Sequence, residues 1–447
     1  MLCLSDVTFW IGCCLVASCS LLIALGPWWR IDVAALLWPC IGLWVVVELA
    51  FAFYVYGVLL PRLRPLSEPA APTLPPRELA QRIMEMVAKT PGLDIRCYLR
   101  SWFEGPDQAS PRLENVVELF AWALFVKLPT GLAESELGVL TDVIAEMEAR
   151  FVFKLEPGYE PSLKPLWFTF DKSLHVLHKP LLLYVFFVFL DAVSYVFMTS
   201  IGFRRGQTTQ GISYWYLRRT PPVQEPPILF FHGLGIGLFP HFLFLWMMTQ
   251  SRDLIYVEQP WITMSLHFDV PSKTVFMSAV KELLNTYTSD GRVCVAGQSY
   301  GSVPAAWMCR EMPSAVASLL LIDPISLLLA NSTVVRNTMY NDFSSKMKLV
   351  LHVFVLSEIG IAYTLRRHFH WYNQAMFSCD LTKVGPSLIA LSGRDKIVPV
   401  KVIAEHLRSC GTSAEIYVKP DFEHCNFLFS IDAIGHMRRW LSHCPKT

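Results

Sequence analysis

A short apolar run ends in a glycine-framed serine near the middle of the chain, and this constrains the fold more than any other feature. Val293, Cys294, Val295 and Ala296 lead directly into Gly297-Gln298-Ser299-Tyr300-Gly301, and a helix-like stretch follows from Ser302 to Glu311. A serine at a sharp strand-to-helix turn keeps its hydroxyl exposed. The flanking Gly297 and Gly301 are needed because a side chain there would meet the neighbouring strand and helix. The five letters alone are weak; the strand before and the helix after give them weight.

Three other stretches fit the same chemistry. Upstream, Pro227-Ile228-Leu229-Phe230-Phe231 reads as a strand ending in His232-Gly233-Leu234-Gly235. Acyl transfer needs backbone N–H donors aimed at the developing oxyanion, and a glycine-rich loop lets the backbone come that close. The Leu234 and Tyr300 amides are the expected pair. Downstream, a strand over 387–391 runs into Ser392-Gly393-Arg394-Asp395-Lys396-Ile397-Val398-Pro399, and another over 414–418 leads to Pro420-Asp421-Phe422-Glu423-His424. In a serine mechanism His424 takes the hydroxyl proton and returns it to the leaving group, while Asp395 fixes the imidazole tautomer and stabilises the imidazolium.

On these residues, the stretch 211–441 resembles the α/β-hydrolase superfamily. The chain order Ser299, Asp395, His424 is the order of that superfamily. The resemblance implies an α/β fold, a mostly parallel sheet flanked by helices, with a serine-type triad and a lid insertion, here about 325–382. Gln298 stands where a histidine often precedes the nucleophile, and His424 lacks the glycine often found beside it. Asp323, which ends the strand after the nucleophile helix, is the alternative acid. Its bland reading is a turn residue ahead of Pro324, and a Gly-x-Asp loop followed by Ile-Val-Pro favours Asp395. His241 is read as structural or pocket-lining, and His368 and His370 as a polar cluster in the insertion.

Composition adds membrane attachment. Of 447 residues, 53% are hydrophobic and 17% charged, too apolar for an ordinary soluble enzyme. Residues 7–29 carry no charge, Arg30-Ile31-Asp32 form a short loop, and 33–60 is interrupted only by Glu48. Each run can cross a hydrocarbon core of about 30 Å, so 1–60 is expected to be a transmembrane helical hairpin rather than a cleaved leader. A carboxylate at mid-bilayer costs roughly 2.5–3.5 kcal/mol, so Glu48 is expected to be protonated, snorkelling or facing a partner helix. Trp28, Trp29 and Tyr54 suit interfacial anchoring. Arg62, Arg64, Arg77 and Arg82 after the second run place both hairpin ends on the cytosolic side.

Residues 61–76 hold six prolines and read as a stiff linker. Residues 77–179 read as a helical region, with apolar faces at Leu79, Ile83, Met86 and Val87, at Val116, Leu119, Phe120 and Leu124, and at Leu137, Leu140, Val143, Ile144 and Met147. Residues 180–203 are nearly all apolar around Asp191. They fit a third span, an interfacial helix or a helix buried between domains; we favour a membrane-associated or re-entrant helix that leaves the hydrolase domain, 204–447, in the cytosol. Asn331-Ser332-Thr333 is then a sequon on the wrong side of the membrane, and no endoglycosidase-sensitive mass is expected at Asn331.

In the insertion, an apolar stretch over 349–365 is followed by Arg366-Arg367-His368-Phe369-His370-Trp371. Such a lid suits a site open to a lipid surface, or simply covers an apolar core. The 12 cysteines show no C-x-x-C unit, so neither a disulfide framework nor a metal site is supported, and a net charge of +1 gives no field for nucleic acid. There is no nucleotide fingerprint and no internal repeat. The expected protein is a multi-pass endomembrane serine hydrolase that needs no cofactor and meets a lipid bilayer and a hydrophobic ester substrate. Acyl transfer and amide hydrolysis use the same triad. The alternatives are an inactive hydrolase-fold scaffold or receptor, and a transporter or assembly subunit with a regulatory hydrolase domain.

Overall fold

The computed structural model describes residues 33–65, 70–219, 225–340 and 345–444. The first apolar run and the Arg30–Asp32 loop lie outside the described residues. An eight-stranded sheet dominates the C-terminal half: β1 (Arg204–Gln207), β2 (Ser213–Leu217), β3 (Ile228–Phe231), β4 (Leu254–Val257), β5 (Val293–Gln298), β6 (Val316–Ile322), β7 (Ser387–Ser392) and β8 (Glu415–Lys419). Their spatial order is β8-β7-β6-β5-β3-β4-β2-β1. The six strands from β8 to β4 are parallel, and β2 pairs antiparallel with both β4 and β1.

The central strands are continuous apolar runs because both faces of the sheet are covered. The pleat sends alternate side chains to opposite sides. Leu229, Phe231, Val295, Leu319 and Leu321 join the core on one face, and Ile228, Phe230, Cys294, Leu320 and Ile322 the core on the other. Each fully buried phenylalanine here stabilises the fold by about 1.5–3 kcal/mol.

The topology also marks a place for a site. β3 connects to β4 on one side, whereas β5, its other neighbour, connects to β6 on the opposite side. Loops leaving the carboxyl ends of β3 and β5 therefore diverge, and the crevice between them is where ligands bind in open α/β sheets.

The helical region packs onto this sheet as part of one continuous core. Helices Pro76–Lys89, Leu113–Phe125 and Glu134–Phe151 bury Leu79, Ile83, Met86, Val87, Val116, Leu119, Phe120, Leu124, Leu140, Val143, Ile144 and Met147 in the same cluster as Leu229 and Val295. Leu137 is the exception, 47% exposed in the first turn of its helix.

Two described helices are long and apolar enough to cross a membrane, Trp38–Leu63 with 26 residues and Leu181–Ser200 with 20. Glu48 joins them. Its carboxylate accepts the Leu181 N–H at 3.0 Å and lies 3.1 Å from His178 Nε2. An acidic group at a helix N-terminus satisfies an amide that no helical carbonyl reaches. Of the three roles expected for Glu48, facing a partner helix is the one found. Leu181–Ser200 buries Tyr184, Leu190, Ser194 and Met198 along one side and exposes Leu182, Val185, Phe186, Val188, Phe189 and Val196 on the other.

In the insertion, Lys348–Leu356 and Ile359–His368 form a helix pair bent by 93°. Arg366 and Arg367 do not form an exposed basic rim. They are 6% and 3% exposed, because Arg366 pairs with Asp171 at 2.8 Å and Arg367 is held by backbone carbonyls. Asn331 is also buried, and its Oδ1 accepts from the Thr333 N–H and hydroxyl. A sequon expected on the cytosolic side is out of reach of glycosyl transferases. The expected result is unchanged mobility after endoglycosidase treatment; a glycan at Asn331 would contradict it.

Candidate active site

Ser299 directly follows β5 with φ at +51°, a conformation that costs a non-glycine residue about 1–3 kcal/mol and persists only where its surroundings impose it. The flanking glycines impose it here. A Cβ on Gly301 would lie 2.0 Å from the Phe231 carbonyl oxygen, and one on Gly297 would lie 2.6 Å from the Gly301 carbonyl oxygen. The chain therefore turns so tightly that only glycine fits either side of the serine. The Ser302 hydroxyl donates to the Ser299 carbonyl at 2.6 Å and accepts the Ser326 N–H at 3.1 Å, fixing the start of helix Ser302–Glu311.

Ser299, His424 and Asp395 come together as expected from their chain order. Ser299 Oγ lies 2.9 Å from His424 Nε2, and His424 Nδ1 lies 2.5 Å from Asp395 Oδ2. The other Asp395 oxygen accepts the Ile397 and Val398 N–H groups at 2.7 and 3.0 Å. That turn is what the Ile-Val-Pro sequence builds, and it leaves one carboxylate oxygen for the imidazole. Burial works against the His424 imidazolium; the adjacent Cys425 and the hydrogen-bonded Asp395 carboxylate outweigh it and hold the pKa well above the usual histidine value.

The carboxylate hydrogen-bonded to the His424 ring is that of Asp395, and Asp323 holds other partners. Fully buried, with φ at +45°, it accepts the Ser392 N–H and hydroxyl at 2.7 and 2.8 Å and the Cys425 N–H at 3.0 Å. It thus ties the end of β7 to the loop that carries His424. Burial raises its pKa to about 6, with the Asp395 charge adding to the rise and His424 opposing it. Atoms of Asp323, Asp395 and His424 lie within 4.8 Å of one another, a spacing that can also hold a metal ion. Each ligand atom in this cluster already has a hydrogen-bond partner, and one of those partners is the Ser299 hydroxyl.

The loop after β3 lies against Ser299: a Cβ on Gly233 would sit 3.0 Å from that of Ser299. The Gly233 N–H donates to Gln298 Oε1 at 2.9 Å, and the Gly235 N–H to the Ile262 carbonyl at 3.0 Å. Leu234, between them, has an amide with no acceptor among the described residues, which suits an oxyanion donor. The Tyr300 amide follows the nucleophile at the opening of the helix.

His232 is structural. Its Nε2 accepts the Gln259 N–H at 3.0 Å, its Nδ1 faces the Gly233 carbonyl at 2.8 Å, and burial lowers its pKa to about 4. His241 packs behind it against Tyr256 and Phe230, with burial, chiefly, lowering its pKa to about 3. Sequence reasoning missed Gln298 as a brace. Besides holding Gly233, its Nε2 lies 3.1 Å from Cys425 Sγ, next to His424. The only signal was a long amide directly before the nucleophile, and nothing local shows what it reaches.

No family model matches the chain, and no curated protein is similar to it at a significant level. Among solved structures, the chain is similar to a membrane phospholipase A described as a bacterial virulence factor, at 16% identity over 57% of this chain and 91% of that one, TM-score 0.42. It is also similar to a thermostable esterase from Pseudomonas putida (18%, 56% and 86%, TM-score 0.40) and to a thermophilic esterase from Thermogutta terrifontis (16%, 54% and 98%, TM-score 0.38).

Proposed function

We propose that this chain is a membrane-anchored serine hydrolase of the α/β-hydrolase type that cleaves a hydrophobic ester through an acyl-enzyme at Ser299. The observation that carries this reading is the unbroken chain of contacts from Ser299 Oγ through the His424 ring to Asp395. In the reaction, Ser299 Oγ attacks the ester carbonyl carbon and its proton passes to His424 Nε2. The Leu234 and Tyr300 amides receive the oxyanion. The tetrahedral intermediate collapses, and His424 returns the proton to the leaving alcohol oxygen. Water then repeats the sequence and releases the acid. Asp395 keeps the Nδ1 proton in place throughout, so the neutral ring presents Nε2 as the base.

The preference for a lipid or acyl ester rests on where the apolar surface lies. Asp191, on helix Leu181–Ser200, approaches within 3.7 Å of the position a Gly237 Cβ would take, in the loop that follows the oxyanion turn. Helix Leu181–Ser200, which carries an exposed apolar side, therefore packs near the loop that follows the oxyanion turn, which favours a substrate presented from a bilayer surface. The arginines that follow residue 60 favour a catalytic domain on the cytosolic side of an endomembrane.

The test is a panel of acyl glycerols and phospholipids in vesicles against short nitrophenyl esters in solution. Preference for the vesicle substrates is expected; equal or better use of short soluble esters would contradict the lipid assignment. The same assay carries a pH signature. The ring must be neutral to accept a proton, so kcat/KM rises with pH as His424 deprotonates. Since the pKa is held up, the midpoint of this acid limb is expected above about 6.5, the ordinary histidine value. A midpoint at or below that value would mean that burial outweighs the charges that hold the His424 pKa up.

A further inference from the structure

The backbone on both sides of Leu234 is pinned, and one of the pins is the side chain of Gln298. Downstream, the Gly235 N–H donates to the Ile262 carbonyl at 3.0 Å and the Gly235 carbonyl accepts the Met264 N–H at 2.9 Å. Upstream, both backbone groups of Gly233 are taken. Its N–H donates to Gln298 Oε1 at 2.9 Å, and its carbonyl lies 2.8 Å from His232 Nδ1. His232 Nε2 accepts the Gln259 N–H at 3.0 Å, so the ring proton sits on Nδ1 and donates to that carbonyl. In a planar trans peptide the N–H points opposite to the C=O. The Leu234 N–H shares a peptide plane with the Gly233 carbonyl. It is therefore turned away from His232, and it is left without an acceptor among the described residues.

Gln298 is built into this arrangement. It is 2% exposed at the end of β5, immediately before Ser299. A Cβ on Gly233 would lie 2.2 Å from its Oε1, so the amide fills space that only a glycine leaves free. The other end of the amide is used as well: Nε2 lies 3.1 Å from Cys425 Sγ, next to His424. The two ends differ in weight. Removing the oxygen strands a buried backbone donor. Removing the nitrogen costs a contact to sulfur, a weak acceptor, and the Cys425 N–H stays anchored on Asp323 at 3.0 Å.

We propose that Gln298 is a positioning residue for the reaction at Ser299: its amide oxygen fixes Gly233, and through it the direction of the Leu234 N–H that receives the oxyanion. This role rests on the serine-hydrolase reading above. Gln298 itself touches no reacting atom in it. A misdirected donor matters little to a neutral ester and most to the oxyanion, so the contribution of Gln298 lies in the transition state, in kcat and not in KM.

The test is Gln298→Met in the full-length protein, a side chain of similar length whose thioether is a weak acceptor. Kinetics on a nitrophenyl ester are read beside inhibition by an alkyl trifluoromethyl ketone. Ser299 Oγ adds to the ketone carbon, the hydroxyl proton passes to His424 Nε2, and the carbonyl oxygen becomes an alkoxide at the Leu234 and Tyr300 amides. The adduct thus reports the oxyanion site with no leaving group involved. In Gln298→Met, kcat is expected to fall about 10–100-fold, less than the roughly 10²–10³ that a lost oxyanion donor costs, with KM within about threefold of wild type. Affinity for the ketone is expected to fall by the same factor as kcat/KM. Gln298→Asn, whose amide stops one methylene short of the Gly233 N–H, is expected to show the same pattern and keeps the test readable should Gln298→Met not fold. Cys425→Ala, which removes only the sulfur contact, is expected to lower kcat less than about fivefold. The proposal is overturned if the Gln298 variants keep kcat within about threefold of wild type, if kcat falls with no loss of ketone affinity, or if Cys425→Ala loses as much as they do. Those outcomes leave the hydrolase reading standing; a wild type that cleaves no ester and forms no ketone adduct overturns that reading, and the proposal with it.

Discussion

Replacing Ser299 with alanine is expected to lower kcat for ester hydrolysis by at least about 10⁴-fold while leaving the folded protein intact. The size of the loss follows from the mechanism: without the hydroxyl no acyl-enzyme forms, and only binding and the oxyanion donors remain, which together are worth about 10³–10⁴ over water. The fold should survive because the turn is imposed by the close approach of Gly297 and Gly301 to their neighbours, not by Ser299 Oγ. The measurement is kcat on a vesicle substrate together with the melting temperature. A variant that melts normally yet retains more than about a tenth of the activity would remove Ser299 from the chemistry.

The two buried aspartates should separate just as clearly. Asp395→Asn keeps the shape but places an amide against His424 Nδ1, favouring the wrong ring tautomer, and kcat is expected to fall about 10⁴-fold. The acid limb of the pH profile should move down as well, since the carboxylate helps to hold the imidazolium pKa up. Asp323→Asn acts differently. Its carboxylate accepts from Ser392 N–H, Ser392 hydroxyl and Cys425 N–H, and an amide would turn a donor toward that donor cluster. A stability loss of about 1–3 kcal/mol for each group left unpaired is expected, with a smaller fall in kcat of about 10–100-fold from a loosened His424 loop, roughly what displaced positioning groups cost. Parallel kinetics and denaturant unfolding of the two variants check this. Loss of activity in Asp323→Asn with Asp395→Asn spared would exchange their roles.

The serine turn, the strand before it and the loops that carry Asp395 and His424 were legible because each is written locally. The apolar runs Ile228–Phe231 in β3, Val293–Ala296 in β5 and Leu388–Leu391 in β7 are uninterrupted, and a strand buried on both faces admits little else. The Asp395 turn is similarly local, with its amide partners two and three residues on. What escaped the sequence reading is held by partners far along the chain. Glu48 looked like a lone carboxylate in an apolar helix; the amide it caps is 133 residues away. Gln298 braces a cysteine 127 residues downstream. Arg366 and Arg367 looked like an exposed basic rim because an arginine pair usually is one. Their burial depends on Asp171 and on carbonyls from a segment nearly 200 residues earlier. Asp323 carried the signal of a turn ahead of proline, and its task of joining β7 to the His424 loop appears only once parallel strands lie side by side. The helical region gave its own faces correctly, apart from Leu137, but periodicity says nothing about what a face packs on, and here it is the sheet.

The central claim is that the Ser299 hydroxyl is an activated nucleophile. Intact-mass and peptide analysis after treating the folded full-length protein with a fluorophosphonate tests it most directly. The expected result is a single phosphonyl adduct on the peptide containing Ser299, absent from Ser299→Ala and strongly slowed in His424→Ala. A folded protein that takes up no adduct, or takes it up at another residue, would contradict the account.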